Sequence, residues 1–326
     1  MFRRDFLSFL GGAACAPALA QGNVAQTGRF QPGAPVRLVV PNDPGGAMDI
    51  IARLLASALA PLWSPANVIV DYHPGAGTVL GTNFVAKSRP DGLTIGMIAT
   101  PHVINPAIRS LPFDPERDFV PLTRIGTSDL LLSASPAFGA DRLADALARV
   151  KANPGKYSCA TAGAGSSMHF ALEMLKQRAG LELLHVPFKG SGPAFIELAA
   201  GRIEFLVEPV FSSMPHVKAG RLVPLATSGR QRSRYLPQVP TLAETFPGLF
   251  VESFFGLVAP GGTDGTVAQH IAADVATALA NPQVAERTDA IGIAVAPMPP
   301  AEFAAFLSSQ TERWREVAKK AGMRIE

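Results

Sequence analysis

Cysteine is almost absent: the 326 residues include two, Cys15 and Cys159. Cys15 lies in an N-terminal segment that we expect to be removed on export, which leaves Cys159 without a partner in the mature chain. This count excludes an intrachain disulfide and a zinc site built from thiolates.

Charge is scarce as well. Acidic and basic residues together make up 17% of the chain, and the formal net charge is +3. Binding to nucleic acid requires basic residues gathered into a patch, and here they are scattered. No stretch beyond the N-terminal segment reaches the roughly 18 apolar residues of a membrane-spanning helix. We therefore exclude a nucleic-acid partner and expect a mature protein that is soluble outside the inner membrane.

The motifs of common enzymes are missing too. The chain has no Gly-x-Ser-x-Gly elbow, no phosphate loop ending in Gly-Lys-Ser/Thr and no histidine spacing typical of zinc. The glycine loops at 75–80 and 163–168 each lack the last glycine of a dinucleotide-binding fingerprint. We predict no catalytic residue, no metal and no cofactor.

The N-terminus has the pattern of an export signal. Arg3 and Arg4 precede a short apolar run over residues 6–20, which is rich in alanine and ends in an Ala-Leu-Ala cleavage site. The paired arginines fit a twin-arginine signal, and two basic residues also suit an ordinary secretory signal. We predict that residues 1–20 are removed and that the protein is periplasmic.

The rest of the chain begins with a strand, a glycine loop and a helix. Residues 36–40 are mostly β-branched and apolar, which predicts a buried strand, and residues 41–46 have the composition of a turn. An apolar helical face starts at Met48. The N-terminus of such a helix points unpaired N–H groups and a positive dipole end into the loop, which suits an anion. Glycines that serve turn geometry alone are the alternative.

The same unit recurs along the chain. Further strands are predicted at 66–72, 93–100, 157–162, 183–187 and 203–208, with a late strand at 253–258, and glycine loops lie at 74–77, 163–167 and 188–192. Alternation of strand, loop and helix predicts an α/β fold with a mainly parallel sheet, whose ligands bind beyond the carboxyl ends of the strands.

Two interruptions divide this alternation. Three prolines, Pro112, Pro115 and Pro121, break up the region before a strand at 130–133, where we place a crossover, and a strand at 222–227 is the predicted return. We therefore predict two α/β lobes, residues 21–125 plus 228–326 and residues 126–227, with a ligand cleft between them.

Four side chains at these loops are candidates for binding. Ser166 and Ser167 could donate hydrogen bonds to a carboxylate, or one of them could cap the helix that follows. Lys189 could add positive charge to the cleft, although a solvated lysine is more frequent. Glu208 ends a buried strand, and we expect it to point into the cleft.

A series of stretches then carries a family resemblance. They are, in order, VRLVVPNDPGGAMDIIARLLA, SRPDGLTIGMIAT, ANPGKYSCATAGAGSSMHFALE, HVPFKGSGPA and FFGLVAP. Together they resemble the periplasmic solute-binding proteins of tripartite tricarboxylate transporters, the Bug family, from about Pro35 to the C-terminus. The resemblance implies a type II-like periplasmic binding protein that closes on a small organic acid and delivers it to two membrane subunits, without catalysis.

The resemblance also implies a ligand site. A ligand carboxylate would be held by the loop after the first strand and by the glycine-serine loop of the second lobe. On this chain the first loop contributes Pro44, Gly45, Gly46 and Ala47, and the second contributes Ala162, Gly163, Ser166, Ser167 and His169. Weaker candidates are Gly75, Ala76, Gly77, Thr100 and His102, and Lys189 and Glu208 complete the set.

The identity of the ligand depends on two acidic residues. The family usually has an aromatic residue or a proline in place of Asn42 and Asp43, and an aspartate in place of Glu208. If Asp43 and Glu208 both face the cleft, their charges favour a ligand with an ammonium group. If Asp43 only caps its own turn, which we favour, a dicarboxylic or aromatic acid is the better prediction.

The expected partners are therefore a small organic acid and a membrane transporter. The acid is a di- or tricarboxylate, an aromatic acid or an acidic amino acid, and the protein is expected to be a monomer. Two other functions stay open: a sensory protein that presents its ligand to a signalling receptor, and, remotely, a hydrolase that uses Ser166 or Ser191 with His169 or His185.

Overall fold

The computed structural model describes residues 30–45, 47–161, 163–188 and 191–322. The predicted signal peptide and the predicted ligand-binding residues Gly46, Ala162 and Lys189 lie outside these segments. The strands within them are β1 Val36–Val40, β2 Val68–Tyr72, β3 Thr94–Ala99, β4 Phe119–Ala134, β5 Ser158–Thr161, β6 Leu184–Pro187, β7 Phe205–Pro209, β8 Val223–Thr227, β9 Glu252–Pro260 and β10 Ala294–Met298.

The helices alternate with these strands. They are α1 Ala47–Leu59, α2 Val79–Ala86, α3 Pro101–Ile108, α4 Leu143–Lys151, α5 Ser167–Ala179, α6 Ser191–Ala199, α7 Val210–Lys218, α8 Leu242–Thr245, α9 Gly265–Leu279, α10 Pro282–Ala290 and α11 Pro300–Ala321. Among the helices of the described segments, none combines the length and apolarity that crossing a membrane requires.

The strands form one sheet whose two halves share β4. In the first half, β1 lies parallel between β2 and β3, and β9 joins β3 to β4 by antiparallel pairing. In the second half, β4 pairs with β7 and β8, and β5 lies parallel between β7 and β6. This mixed α/β arrangement with two halves agrees with the predicted fold class.

Apolar periodicity accounts for the packing of the first half. The buried positions of α1 include Ile51, Leu55 and Leu59, the face that the sequence predicts, and they share a core with Leu38 of β1 and Val275 of α9. A second core cluster continues from one half of the molecule to the other. Its apolar contacts connect the halves in addition to the backbone.

Trp314 and Phe170 make one of these connecting contacts. Trp314 on α11 packs edge-on against Phe170 on α5, with ring centroids 5.1 Å apart. Both side chains are fully buried. The C-terminal helix therefore joins the two halves directly.

β4 is the strand that crosses between the halves. Residues 119–129 pair with β9, and residues 130–134 pair with β7 and β8. Pro121 was expected to interrupt regular structure, but β4 continues through it. The register of β4 against β9 shifts between Pro121 and Thr123, and such a bulge accommodates a residue that has no N–H to donate.

Three other elements were missed. They are α3, which has Pro106 inside it, the helix α10, and β10, which pairs with the outer side of β4. β10 lacks a buried apolar run, and its position depends on distant side chains: the Thr123 hydroxyl donates to the Met298 carbonyl at 2.8 Å, and Arg124 Nε donates to the Ala296 carbonyl at 2.9 Å. These contacts have no local sequence signal.

Ser228 holds together the segments that cross between the halves. Its N–H donates to the Leu130 carbonyl at 2.9 Å, and its hydroxyl oxygen accepts from the Leu130 N–H at 2.9 Å. The same hydroxyl donates to the Val251 carbonyl, and the Val251 N–H donates to the Ser228 carbonyl at 2.8 Å. The predicted return strand at 222–227 is β8 of the second half, and the chain returns to the first half after Ser228.

The two faces of the β4–β9 strand pair differ in polarity. Ser128 and Ser253 are partners in the β4–β9 register, and so are Asp129 and Glu252 one position along. Because successive residues of a strand point to opposite faces, the serines face one side and the carboxylates the other. Burial, and then the negative charge of Glu252, raise the pKa of Asp129 to about 6.

We expect Ser228→Ala to weaken the junction. The substitution leaves the Leu130 N–H and the Val251 carbonyl without their buried partner, which should lower the free energy of unfolding by about 1–3 kcal/mol in urea denaturation. Ser309→Ala, at an exposed position of α11, is the matched control and should change stability little. Equal midpoints for both variants and the parent would contradict the role of Ser228.

We expect Asp129→Asn to remove a pH-dependent loss of stability. The carboxyl binds its proton more tightly in the folded state, so its contribution to stability is complete below about pH 4 and is lost as the pH rises through about 6. The variant should match the parent near pH 4 and be more stable by about 3 kcal/mol above pH 7. Melting temperatures across this range measure the difference; a pH-independent difference, or the same profile in Asp141→Asn, would refute the assignment.

Candidate functional site

A cavity of about 490 Å³ lies between the two halves of the sheet. The first half contributes the β1–α1 loop, the N-termini of α1, α2 and α3, and the paired strands β4 and β9. The second half contributes the N-termini of α5 and α7. The lining residues are Asn42, Asp43, Pro44, Ala47, Met48, Thr78, Ala99, Thr100, Pro101, Ser128, Ser167, Met168, Pro209, Phe211, Ser253, Phe254 and Phe255.

The predicted ligand-binding residues divide into two groups. Pro44, Ala47, Thr100 and Ser167 line the cavity. The other described candidates are outside the lining, in loops that adjoin it or in the core, and are Gly45, Gly75, Ala76, Gly77, His102, Gly163, Ser166, His169 and Glu208.

The β1–α1 loop is held from below by Asp49. Gly45, at a φ of +94° that favours glycine, donates its N–H to Asp49 Oδ2 at 2.8 Å. The other carboxylate oxygen of Asp49 accepts from Arg53 Nε at 2.6 Å and from the Tyr72 hydroxyl at 2.5 Å. Burial alone would raise the pKa of Asp49, but these hydrogen bonds outweigh it and hold the pKa below its usual range. The loop is thus fixed, with Gly45 turned away from the cavity.

The next two loops place hydroxyls at helix N-termini. Thr78 precedes α2 at a φ of +79°, a left-handed conformation that is costly for a β-branched residue and that clusters at binding sites. Asn105 supports this loop by donating its amide N–H to the Gly77 carbonyl at 2.9 Å. Thr100 precedes α3, and its hydroxyl accepts from the Phe254 N–H at 3.1 Å, so the hydroxyl proton stays available to an acceptor.

The two serines of the second loop have different roles. Ser166 is the N-cap of α5: its hydroxyl accepts from the His169 N–H at 3.2 Å and donates to the Gly163 carbonyl at 2.7 Å. Ser167 is the first residue of α5, lines the cavity, and lies 3.1 Å from the Ser253 hydroxyl of the first half. The hydroxyl pair of Ser167 and Ser253 therefore spans the cleft.

His169 supports the glycine-serine loop from behind. Its Nδ1 accepts from the Gly165 N–H at 3.1 Å, and its ring stacks on His185 with centroids 3.9 Å apart. Burial, followed by the neighbouring His185 and Lys176, lowers the pKa of His169 to about 4. The ring is neutral at physiological pH, so it positions the loop and supplies no positive charge.

Glu208 and His102 are interior residues. Glu208 is fully buried on β7, where Oε2 accepts from the Ser191 hydroxyl at 2.7 Å, and it is not part of the cavity lining. His102 is buried edge-on against Phe119 and contacts the Pro115 carbonyl through Nε2 at 3.2 Å. Burial lowers the pKa of His102 to about 4. Both side chains are buried and are not among the described lining residues.

The serine–histidine pairs of the hydrolase alternative do not form. The hydroxyl protons of Ser166 and Ser191 go to the Gly163 carbonyl and to Glu208, respectively. His185 Nε2 bonds the Thr161 hydroxyl at 2.7 Å. Within the described segments, no three His, Cys, Asp or Glu residues gather in a way that could hold a metal.

Several lining residues were not predicted from the sequence. Ser128 and Ser253 reach the cavity through the register of β4 and β9, and Phe211 and Met168 reach it from α7 and α5. Ser253 was predicted to start a late strand. Its position opposite Ser128 could not be predicted, because it depends on the pairing of β9 with β4. The one local signal for Thr78 is the glycine loop before it.

The electrostatics of the cavity come mainly from the backbone. Helices α1, α2, α3, α5 and α7 all begin at its wall, so their free N–H groups and positive dipole ends point toward it. Among the described lining residues there is no lysine or arginine, and Asp43 is the one ionisable side chain. The arrangement suits the carboxylate of a ligand, bound by N–H and hydroxyl donors.

The chain is similar to known proteins over most of its length. Residues 51–323 match the model of the tripartite tricarboxylate transporter family receptor. A UPF0065 protein from the tcbD-tcbE intergenic region of Pseudomonas sp. strain P51 is 36% identical and covers 94% of this chain and 92% of its own. BugT of Bordetella pertussis is 32% identical, with 90% and 91% covered.

Solved structures agree with these relatives. Rpa4515 of R. palustris with adipate superposes with a TM-score of 0.80 at 29% identity, covering 90% of this chain and 99% of its own. MatC of Rhodopseudomonas palustris with bound malate gives a TM-score of 0.74 at 27% identity, covering 88% and 99%. The predicted two-lobed fold and the predicted family are thereby confirmed. The chain belongs to the tripartite tricarboxylate transporter receptor family, whose members are periplasmic solute-binding proteins and not enzymes.

Proposed function

We propose that this protein is an extracytoplasmic receptor that captures a small organic carboxylate between its two halves and delivers it to the membrane subunits of a tripartite transporter. The observation that carries the proposal is the convergence of five helix N-termini on one cavity without a basic side chain among the described lining residues. Relatives with adipate and malate bound support a carboxylate ligand.

Binding requires donors that replace the water lost by the anion. The hydroxyls of Thr100 and Ser167 and the free N–H groups of the helix starts supply them at the cavity wall. Hydrogen bonds to a charged group contribute about 1.5–3 kcal/mol each, and more when water is excluded. Neutral donors are sufficient because the ligand brings the charge.

Hinge closure would exclude that water. The lobes that move are those predicted from the sequence, residues 21–125 plus 228–326 and residues 126–227. The junction of Leu130, Ser228 and Val251 supports these limits to within a few residues, because there the chain passes between the halves. A ligand that contacts both α1 and α5 stabilises the closed arrangement.

The rest of the proposal concerns the cellular setting. Residues 1–20 direct export by a twin-arginine or an ordinary secretory signal, and the mature protein acts in the periplasm as a monomer. The periplasmic location of family members supports this assignment.

Carboxylates should stabilise the mature protein against heat. A ligand at about 100 times its Kd adds about 2.7 kcal/mol, which corresponds to several degrees of melting temperature for a chain of this size. A thermal-shift screen with mono-, di- and tricarboxylates, aromatic acids and amino acids measures the effect, with sugars of similar size as the control. No shift with any acid, or equal shifts with sugars, would contradict a carboxylate receptor.

Ser167→Ala and Ser166→Ala should have separable effects. Loss of the Ser167 hydroxyl should weaken carboxylate binding by about 1–3 kcal/mol, measured by titration calorimetry, with little change in melting temperature. Loss of the Ser166 cap should lower stability by about 0.5–2 kcal/mol and affect binding less. Unchanged affinity in Ser167→Ala would remove this residue from the site.

A further inference from the structure

We propose that Asp43 determines which carboxylic acids the cavity binds. Because of Asp43, the cavity prefers an acid that also carries an ammonium group to an acid that carries a second carboxylate. The proposal rests on the function proposed above, because it assigns the chemistry of the ligand in that same cavity.

Asp43 faces the cavity and is not used to build the loop. It lines the cavity between Asn42 and Pro44, and it is exposed. The carboxylate that braces the loop is Asp49, which takes the Gly45 N–H. Within the described segments Asp43 itself makes no hydrogen bond and no ion pair. The alternative in which Asp43 only caps its own turn is therefore not what the structure shows.

The described lining has no lysine or arginine that would offset the repulsion between Asp43 and a second anion. Apolar side chains lie beside the helix-start donors, namely those of Met48, Met168, Phe211 and Phe255. Moving a carboxylate from water to such a surface is costly, and placing it near Asp43 adds like-charge repulsion. An ammonium group at the same place would be attracted by Asp43.

Glu208 adds no charge to the lining. A ligand with an ammonium group was expected if Asp43 and Glu208 both faced the cleft. Glu208 is buried on β7 and accepts a hydrogen bond from the Ser191 hydroxyl. The preference for an ammonium group is therefore assigned to Asp43 alone. A single carboxylate is sufficient because the described lining has no basic side chain to neutralise it.

A series of acids of equal chain length tests the proposal. Hexanoate, adipate, norleucine and ε-aminohexanoate differ in whether the chain carries no second charge, a second carboxylate, or an ammonium group near or far from the carboxylate. We expect calorimetric titration of the mature protein to show one of the two ammonium-bearing acids binding at least about tenfold more tightly than adipate and more tightly than hexanoate.

Asp43→Asn should abolish this preference. The substitution keeps the size of the side chain and removes its charge, so the affinity ratio of the preferred amino acid to adipate should fall by at least about tenfold. Asp141→Asn, which removes an exposed carboxylate outside the cavity, is the matched control and should leave the ratio unchanged.

The outcomes separate this inference from the function on which it rests. If adipate binds the parent more tightly than both amino acids, or if Asp43→Asn leaves the ratio unchanged, the role of Asp43 is overturned and the carboxylate receptor stands. A loss of adipate binding in Lys189→Met would then identify Lys189 as the partner of the second carboxylate. If none of the four acids and no acid of the wider screen binds, both proposals fail.

Discussion

The antiparallel pairing of β4 with β9 is the constraint on which the site depends. Because a strand alternates its side chains, this register places Ser128 and Ser253 on the cavity face and Asp129 and Glu252 on the opposite face. A slip of β9 by one residue would turn Ser253 away from the cavity and put the Glu252 carboxylate on the cavity face. The four backbone and hydroxyl bonds around Ser228 fix this register where the chain passes between the halves.

Fixed loops hold the helix N-termini in place at the cavity wall. The β1–α1 loop is fixed by buried Asp49, and the glycine-serine loop is fixed by the Ser166 cap and the neutral ring of His169. Both supports lie outside the cavity lining, so they can be satisfied before any ligand arrives. Preorganised donors of this kind cost little on binding, because the loops do not have to be ordered at that moment.

The sequence predicts what is local and misses what depends on pairing. β1, the buried face of α1 and the alternation of strand, loop and helix follow from periodicity over a few residues. The crossing strand was broken at Pro121, because the bulge that accommodates a proline is visible only in the register with β9. Ser253 was missed because the side that a strand residue faces depends on its partners.

The hydroxyl pair across the cleft indicates how a ligand and closure can be coupled. Ser167 and Ser253 belong to different halves and share one hydrogen bond at 3.1 Å, so the halves can meet here without a ligand. A carboxylate bound by both residues would accept a hydrogen bond from each hydroxyl, and bonds to an ionised acceptor are about twice as strong as neutral ones. The ligand would thus replace one neutral contact by two charge-assisted bonds. The gain depends on both halves being present, which ties binding to closure.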